Sequence, residues 1–211
     1  MKTLRLFVYG CSVLLWGFSQ GSVVSAGTAE TSARVDTPSP AREYFTDAVL
    51  INQEGQEMRF YSDLLQGKVV VINTIFTTCT GMCPLMSKTF SQLQAHLGEK
   101  LEKEVRLISI SVDPENDTPQ RLKEFAKSFG AGPGWYFLTG KKENVDFILY
   151  KLGQYVDPKE NHLGVLLIGN EPTGLWKKAF GLAPAEQVLE IVESVLNDQE
   201  EKPQTRKSEK R

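Results

Sequence analysis

Cysteine and histidine are scarce in this chain, three of the first and two of the second among 211 residues. A disulfide-stapled scaffold needs cysteines distributed in pairs along the sequence, and a structural zinc site needs four protein ligands, of which no complete set is evident. Positive charge is not in excess: the formal net charge is −2, and no basic stripe with interleaved aromatics gives the electrostatic footprint of a phosphate backbone, which argues against a nucleic-acid partner. The chain has no internal repeat, so solenoids and propellers are not in question.

What is present is concentrated in one stretch, Thr77-Thr78-Cys79-Thr80-Gly81-Met82-Cys83-Pro84. Before it, Val69 to Phe76 is apolar, β-branched and too short for a core helix, which suits a strand buried on both faces of a sheet. After it, Pro84 is a natural first helical residue, and Leu85, Met86, Phe90, Leu93 and Leu97 recur at helical spacing. The expectation is a strand, a two-cysteine loop and a helix N-terminus, whose unsatisfied N–H groups and dipole favour thiolate over thiol. Two low-pKa sulfurs on an exposed rim make a redox site, a soft-metal site, or both. A purely structural bridge is the plain alternative, but the loop it would close holds three residues, and the entropic return of so short a closure is small.

Residues 1–26 read as a secretory signal: Lys2 and Arg5, an apolar stretch from Leu6 to Phe18, then small residues at Val24-Ser25-Ala26 suited to cleavage. The polar run Ser19 to Ser22 interrupts it short of the roughly 18 apolar residues a spanning helix wants. An uncleaved inner-membrane anchor facing the periplasm is the alternative, and lipidation at Cys11 is not expected because the apolar run continues past it. Cleavage would remove Cys11, Lys2 and Arg5, leaving a net charge of about −4 and only Cys79 and Cys83 in an oxidising compartment, the periplasm. Residues 27–41, rich in Thr, Ser, Ala and Pro, read as a flexible linker, and residues 198–211 as a disordered charged tail.

Residues 42–197 then form one domain. Their order is a hairpin turning at Gly55, a short helix at Ser62 to Leu65, the central strand, a helix, a strand at Val105 to Val112, a helix capped by Thr118 with Pro119 at its first position, a strand at Trp135 to Leu138, a helix, a hairpin at Leu163 to Phe180, and a last helix at Pro184 to Leu196. This is α/β: a thioredoxin-like fold, a central mixed β-sheet flanked by helices with an N-terminal β-hairpin extension. In that order the strand after His162 lies beside the central one, which brings His162 towards the cysteine loop. Cys79, Cys83 and His162 would make a soft donor set of low coordination that suits copper, Cu(I) in particular. His96, near the end of the first long helix, reads as structural or solvated, and Met82 and Met86 as packing residues rather than thioether ligands.

These motifs resemble the Sco/SenC family, thioredoxin-fold copper chaperones for cytochrome oxidase assembly whose copper ligands are a Cys-x-x-x-Cys-Pro loop and a distant histidine. Cys79, Cys83-Pro84 and His162 occupy the matching positions; Asp113-Pro114-x-x-Asp117-Thr118-Pro119 resembles the second motif and Phe137-Leu138-Thr139-Gly140 the third. The resemblance runs from about Phe45 to Leu196. It departs at Thr80, Leu163 and Gly169, where members commonly carry proline, a hydroxylic residue and aspartate. It implies copper, as Cu(I) or Cu(II), bound by Cys79, Cys83 and His162 and delivered towards the CuA centre, with cytochrome c oxidase subunit II or another copper or thiol client as partner and a periplasmic thiol reductant upstream. The competing function is an enzyme, a thiol-disulfide reductase acting on a partner's cysteines through the redox pair Cys79 and Cys83. Typical thioredoxin-like reductases have Cys-x-x-Cys and a proline just before the later strand, whereas here the nearest preceding proline is Pro158. A thiol peroxidase comes third: Thr80-x-x-Cys83 matches part of the peroxiredoxin pattern, but Phe76 stands where its proline belongs.

Overall fold

The structure, a computed structural model, describes residues 40–161 and 164–198. The expected signal, most of the linker, His162, Leu163 and nearly all of the charged tail lie outside the described residues. The elements run α1 (Pro40–Phe45), β1 (Val49–Asn52), β2 (Glu57–Arg59), a wide helical turn at Phe60–Leu65, β3 (Val69–Ile75), α2 (Met82–Leu97), β4 (Val105–Ser111), α3 (Pro119–Ser128), β5 (Trp135–Thr139), α4 (Lys142–Lys151), β6 (Val165–Asn170), β7 (Leu175–Phe180) and α5 (Ala185–Leu196).

One seven-stranded sheet has the order β2-β1-β5-β4-β3-β6-β7. β3 is parallel to β4, and β4 to β5, through the crossover helices α2 and α3, while β1 joins β5, and β6 joins β3, antiparallel. Every residue of β3 is buried, and its side chains alternate between two cores as strand geometry requires. Val69, Val71 and Ile75 face Met86, Phe90 and Leu93 of α2 and Val188, Val192 and Val195 of α5. Val70 and Ile72 face Phe60, Leu64 and Leu65 of the wide turn and Val145, Ile148 and Leu149 of α4. The β-branched run in the sequence, interrupted only at Asn73, is thus the signature of a strand covered on both sides.

Most boundaries shift by a residue or so, and three differences have a physical cause. The chain is already helical at Pro40, inside the expected linker, because Phe45 anchors α1 by ring contacts with Phe60 at 5.9 Å and Trp176 at 5.4 Å. The short helix begins at Phe60 rather than Ser62. Helix α2 begins at Met82, two residues before Pro84, with Gly81 as its N-cap. Proline is tolerated anywhere in the first turn, where N–H groups have no intrahelical acceptor, so its presence fixes the turn and not the residue. Thr118 caps α3 as expected, its hydroxyl accepting from the Arg121 N–H at 3.3 Å with Pro119 next in line. Among the described residues no helix is long and apolar enough to cross a membrane.

Candidate functional site

The cysteine loop leaves the C-terminal end of the central strand and enters α2 within a few residues. A turn closed by the Cys79 N–H on the Phe76 carbonyl at 3.1 Å starts it. Cys79 is half-buried at the mouth of a cavity of about 500 Å3 lined by Phe76, Thr78, Cys79, Thr80, Gly81, Met82 and Lys159. Cys83 is fully buried. Its position explains this: Cys83, Met86, Phe90, Leu93 and Leu97 form one helical stripe, and all of them belong to the core shared with β3.

Both cysteines are thiols in this structure, with a side-chain hydrogen bond between them. Their acidities diverge. Burial alone would push the Cys79 thiol up, but the Cys83 side chain and the backbone N–H groups of Cys83, Gly81 and Met82 together outweigh it and leave Cys79 below the ordinary thiol range. For Cys83, burial comes first, the hydrogen bond to Cys79 adds to it, and the thiol is pushed up to about 12. The expectation of two low-pKa sulfurs on an exposed rim is therefore corrected: one sulfur answers to it, and the other is a core residue. The signal was in the sequence, since Cys83 falls in register with the apolar stripe of α2.

His162 lies outside the described residues, but its neighbours on both sides reach the cysteine loop. Lys159 shares the cavity with Cys79. On the other side Gly164 packs against the loop so closely that a Cβ there would stand 2.2 Å from the Met82 sulfur. Strand β6 runs antiparallel to β3, so its first residue lies towards the end from which the loop departs. Among the described residues no three of His, Cys, Asp and Glu are grouped so as to hold a metal ion. Met86 is core, its sulfur close to Gly181, and Met82 packs on Gly164, so both thioethers fill space. His96 is exposed near the far end of α2, its Nδ1 bonded to the Gln92 carbonyl at 2.8 Å.

Two carboxylates of the Asp113–Pro119 loop brace this arrangement, and the sequence reading gave them no role. Asp113 pairs with Lys159, which also stands over the Phe76 ring at 5.4 Å, and accepts from the Asn116 amide at 2.9 Å. Burial would raise the Asp113 pKa; the hydrogen bonds from Lys159 and Asn116 and the charges of Lys159 and Arg121 outweigh it and hold the carboxyl below its usual range. Asp117 is bonded to Thr77 and Ser111. A paired acid in a turn before a capped helix is a weak sequence signal. Nothing in the sequence marks Lys159 as the partner of a residue 46 positions away.

The sequence pattern of the SCO1/SenC family matches residues 37–169. Among curated relatives, the SCO1 protein homolog of Bacillus subtilis is 42% identical over 95 residues, 44% of this chain and 47% of that protein. A Stutzerimonas stutzeri protein provisionally named as copper-binding is 33% identical over 108 residues, 49% of each. The matched stretch thus spans about half the length of these relatives. Among solved structures, BsSco, described as carrying a disulfide switch and as a member of the Sco family of cytochrome c oxidase assembly proteins, superposes with a TM-score of 0.60 at 30% identity, covering 72% of this chain and 92% of that one.

Proposed function

This chain belongs to the SCO1/SenC family, and on that premise we propose that it is a copper carrier of the exported compartment, taking copper as cargo and passing it towards the CuA centre of cytochrome c oxidase. Cys79 and Cys83 supply two thiolates and His162 an imidazole. The observation that carries this reading is that residues 159 and 164, which bracket His162, both meet the cysteine loop. The naming of the Stutzerimonas protein and the place of BsSco among oxidase assembly proteins support it. Two thiolates and one imidazole favour a soft ion in a low-coordinate site. Loading requires that both thiols give up their protons, and the disulfide form cannot hold the metal, so a thiol reductant must act before copper does. The carrier is secreted to the periplasm, by cleavage near Ala26 or with the leader retained as an anchor.

A second reading has one observation in its favour. A half-exposed, acidified Cys79 beside a buried, protonated Cys83 is the division between attacking and resolving thiols in disulfide exchange. Under that reading the chain reduces a partner's cysteines.

His162→Ala separates the two. Protein reduced and purified anaerobically should bind copper as isolated, and the variant should bind it much more weakly while reducing a model disulfide at nearly the unmodified rate. A variant that keeps full copper affinity removes His162 from the site and leaves the reductase reading as the better one.

A further inference from the structure

Beneath the cysteine loop lies a buried acid whose contacts go to the loop's stem and not to its sulfurs. Asp117 is fully buried. It accepts from the Thr77 hydroxyl at 2.5 Å, from the Ser111 hydroxyl at 2.6 Å, and from the Thr77 N–H, which lies 3.2 Å from each carboxylate oxygen. Ser111 in turn accepts from the Asp113 N–H at 3.0 Å. The Thr77 N–H and the Thr77 and Ser111 hydroxyls all point hydrogens at the carboxylate, which suits an acceptor-only side chain; an amide would set its own N–H against one of them. Removing a carboxylate from water is unfavourable unless its lone pairs are met in this way.

The stem is fixed at successive points. The Val112 N–H bonds the Ile75 carbonyl at 2.9 Å, closing the sheet, and the Cys79 N–H bonds the Phe76 carbonyl at 3.1 Å. Between them Thr77 is held by Asp117 through both backbone and side chain. Around Cys79, which is half-buried, Thr80 and Gly81 are exposed and Thr78 is half-buried. Cys83 is locked in the core, so the freedom of Cys79 decides how often the two sulfurs meet.

We infer that Asp117 is a positioning residue for the cysteine pair: by holding Thr77 it presets Cys79 against Cys83 and biases the pair towards the disulfide. The inference rests on the reading of Cys79 and Cys83 as the working site. Oxidation forms one S–S bond, breaks both S–H bonds and passes two electrons to an external disulfide, which is cleaved to two thiols. A Cys79 already placed loses less conformational freedom when the bond forms. Releasing Thr77 therefore makes the disulfide less favourable and raises the reduction potential.

The test is equilibration of the metal-free protein in glutathione buffers, with the disulfide fraction read by alkylation and mass. Thr77→Val and Asp117→Asn should each lower the disulfide equilibrium constant about tenfold, a rise of about 30 mV in midpoint. Thr77→Ser, which keeps the hydroxyl, should match the unmodified protein. Ser111→Ala removes a donor without touching the loop and should leave the midpoint in place. Should Asp117→Asn fail to fold, Thr77→Val decides, since it leaves the acid and Ser111 intact. Variants that melt earlier with an unchanged midpoint would reduce Asp117 to fold support and overturn the inference, as would a Ser111→Ala shift equal to that of Thr77→Val. Because no metal is present, failure to bind copper would sink the carrier reading and leave this result standing, and an unmoved midpoint would do the reverse.

Discussion

Lys159→Met tests how the segment before His162 is fastened. The substitution keeps most of the side chain's apolar length and removes only the ammonium that meets Asp113. In the folded protein the Asp113 side chain is 8% exposed and that of Lys159 31%, so the pair sits between two regimes. Exposed pairs contribute about 0.2–1 kcal/mol, whereas breaking a buried pair on one side costs about 3–5 kcal/mol because a charge is left behind. Asn116 still serves one oxygen of Asp113 in the variant, which places the expected loss at about 2 kcal/mol. For a domain of this size that is a fall of roughly 6 °C in Tm. The sign with pH follows from Asp113, whose folded pKa is held down. Its contribution is complete above the unfolded carboxyl value of about 3.9 and is lost as pH falls through the folded value. In the variant, burial is less opposed and the carboxyl protonates at higher pH, which relieves the stranded charge. The gap between the two proteins should therefore be full at neutral pH and close in acid. Urea titrations across that range measure it. Equal stabilities at neutral pH, or a gap that widens on acidification, would refute the reasoning.

Three further outcomes are expected. Native alkylation followed by peptide mass mapping should modify Cys79 quickly and Cys83 only on unfolding, because the first lines an open cavity and the second is fully buried; equal rates would contradict the assigned burial. Gly181→Ala should destabilise the fold by about 1–3 kcal/mol in urea, since the added Cβ would stand 2.9 Å from the Gly164 carbonyl oxygen, a backbone atom, and 3.0 Å from the Met86 sulfur. Thr118→Ala removes the α3 cap and should cost about 1 kcal/mol, with the Tm unchanged only if the bond from the Arg121 N–H contributes nothing.

The sequence by itself determined the parts of this protein that depend on neighbours in the chain. A β-branched run broken only by Asn73 can satisfy strand geometry and double burial at once, the period of the following apolar residues admits only a helix, and Thr118-Pro119 is a start signal readable without a structure. The cysteine loop between the first two follows from adjacency, whereas β6 beside β3, a pairing across about 100 residues, is expected only from the thioredoxin-like order of the elements. Tertiary structure decided what depends on distant partners. The pairing of β1 with β5 in the sheet arises from packing between segments far apart, and α1 forms at Pro40 because Phe45 finds Phe60 and Trp176. The inequality of the two sulfurs is of the same kind: both occupy one short loop and helix start, yet folding sets Cys83 among core side chains and Cys79 at a cavity mouth, and burial with its hydrogen bonds moves their acidities apart. Asp117 reaches Thr77 across 40 residues and Lys159 reaches Asp113 across 46, separations at which local pattern carries no information about who will meet whom.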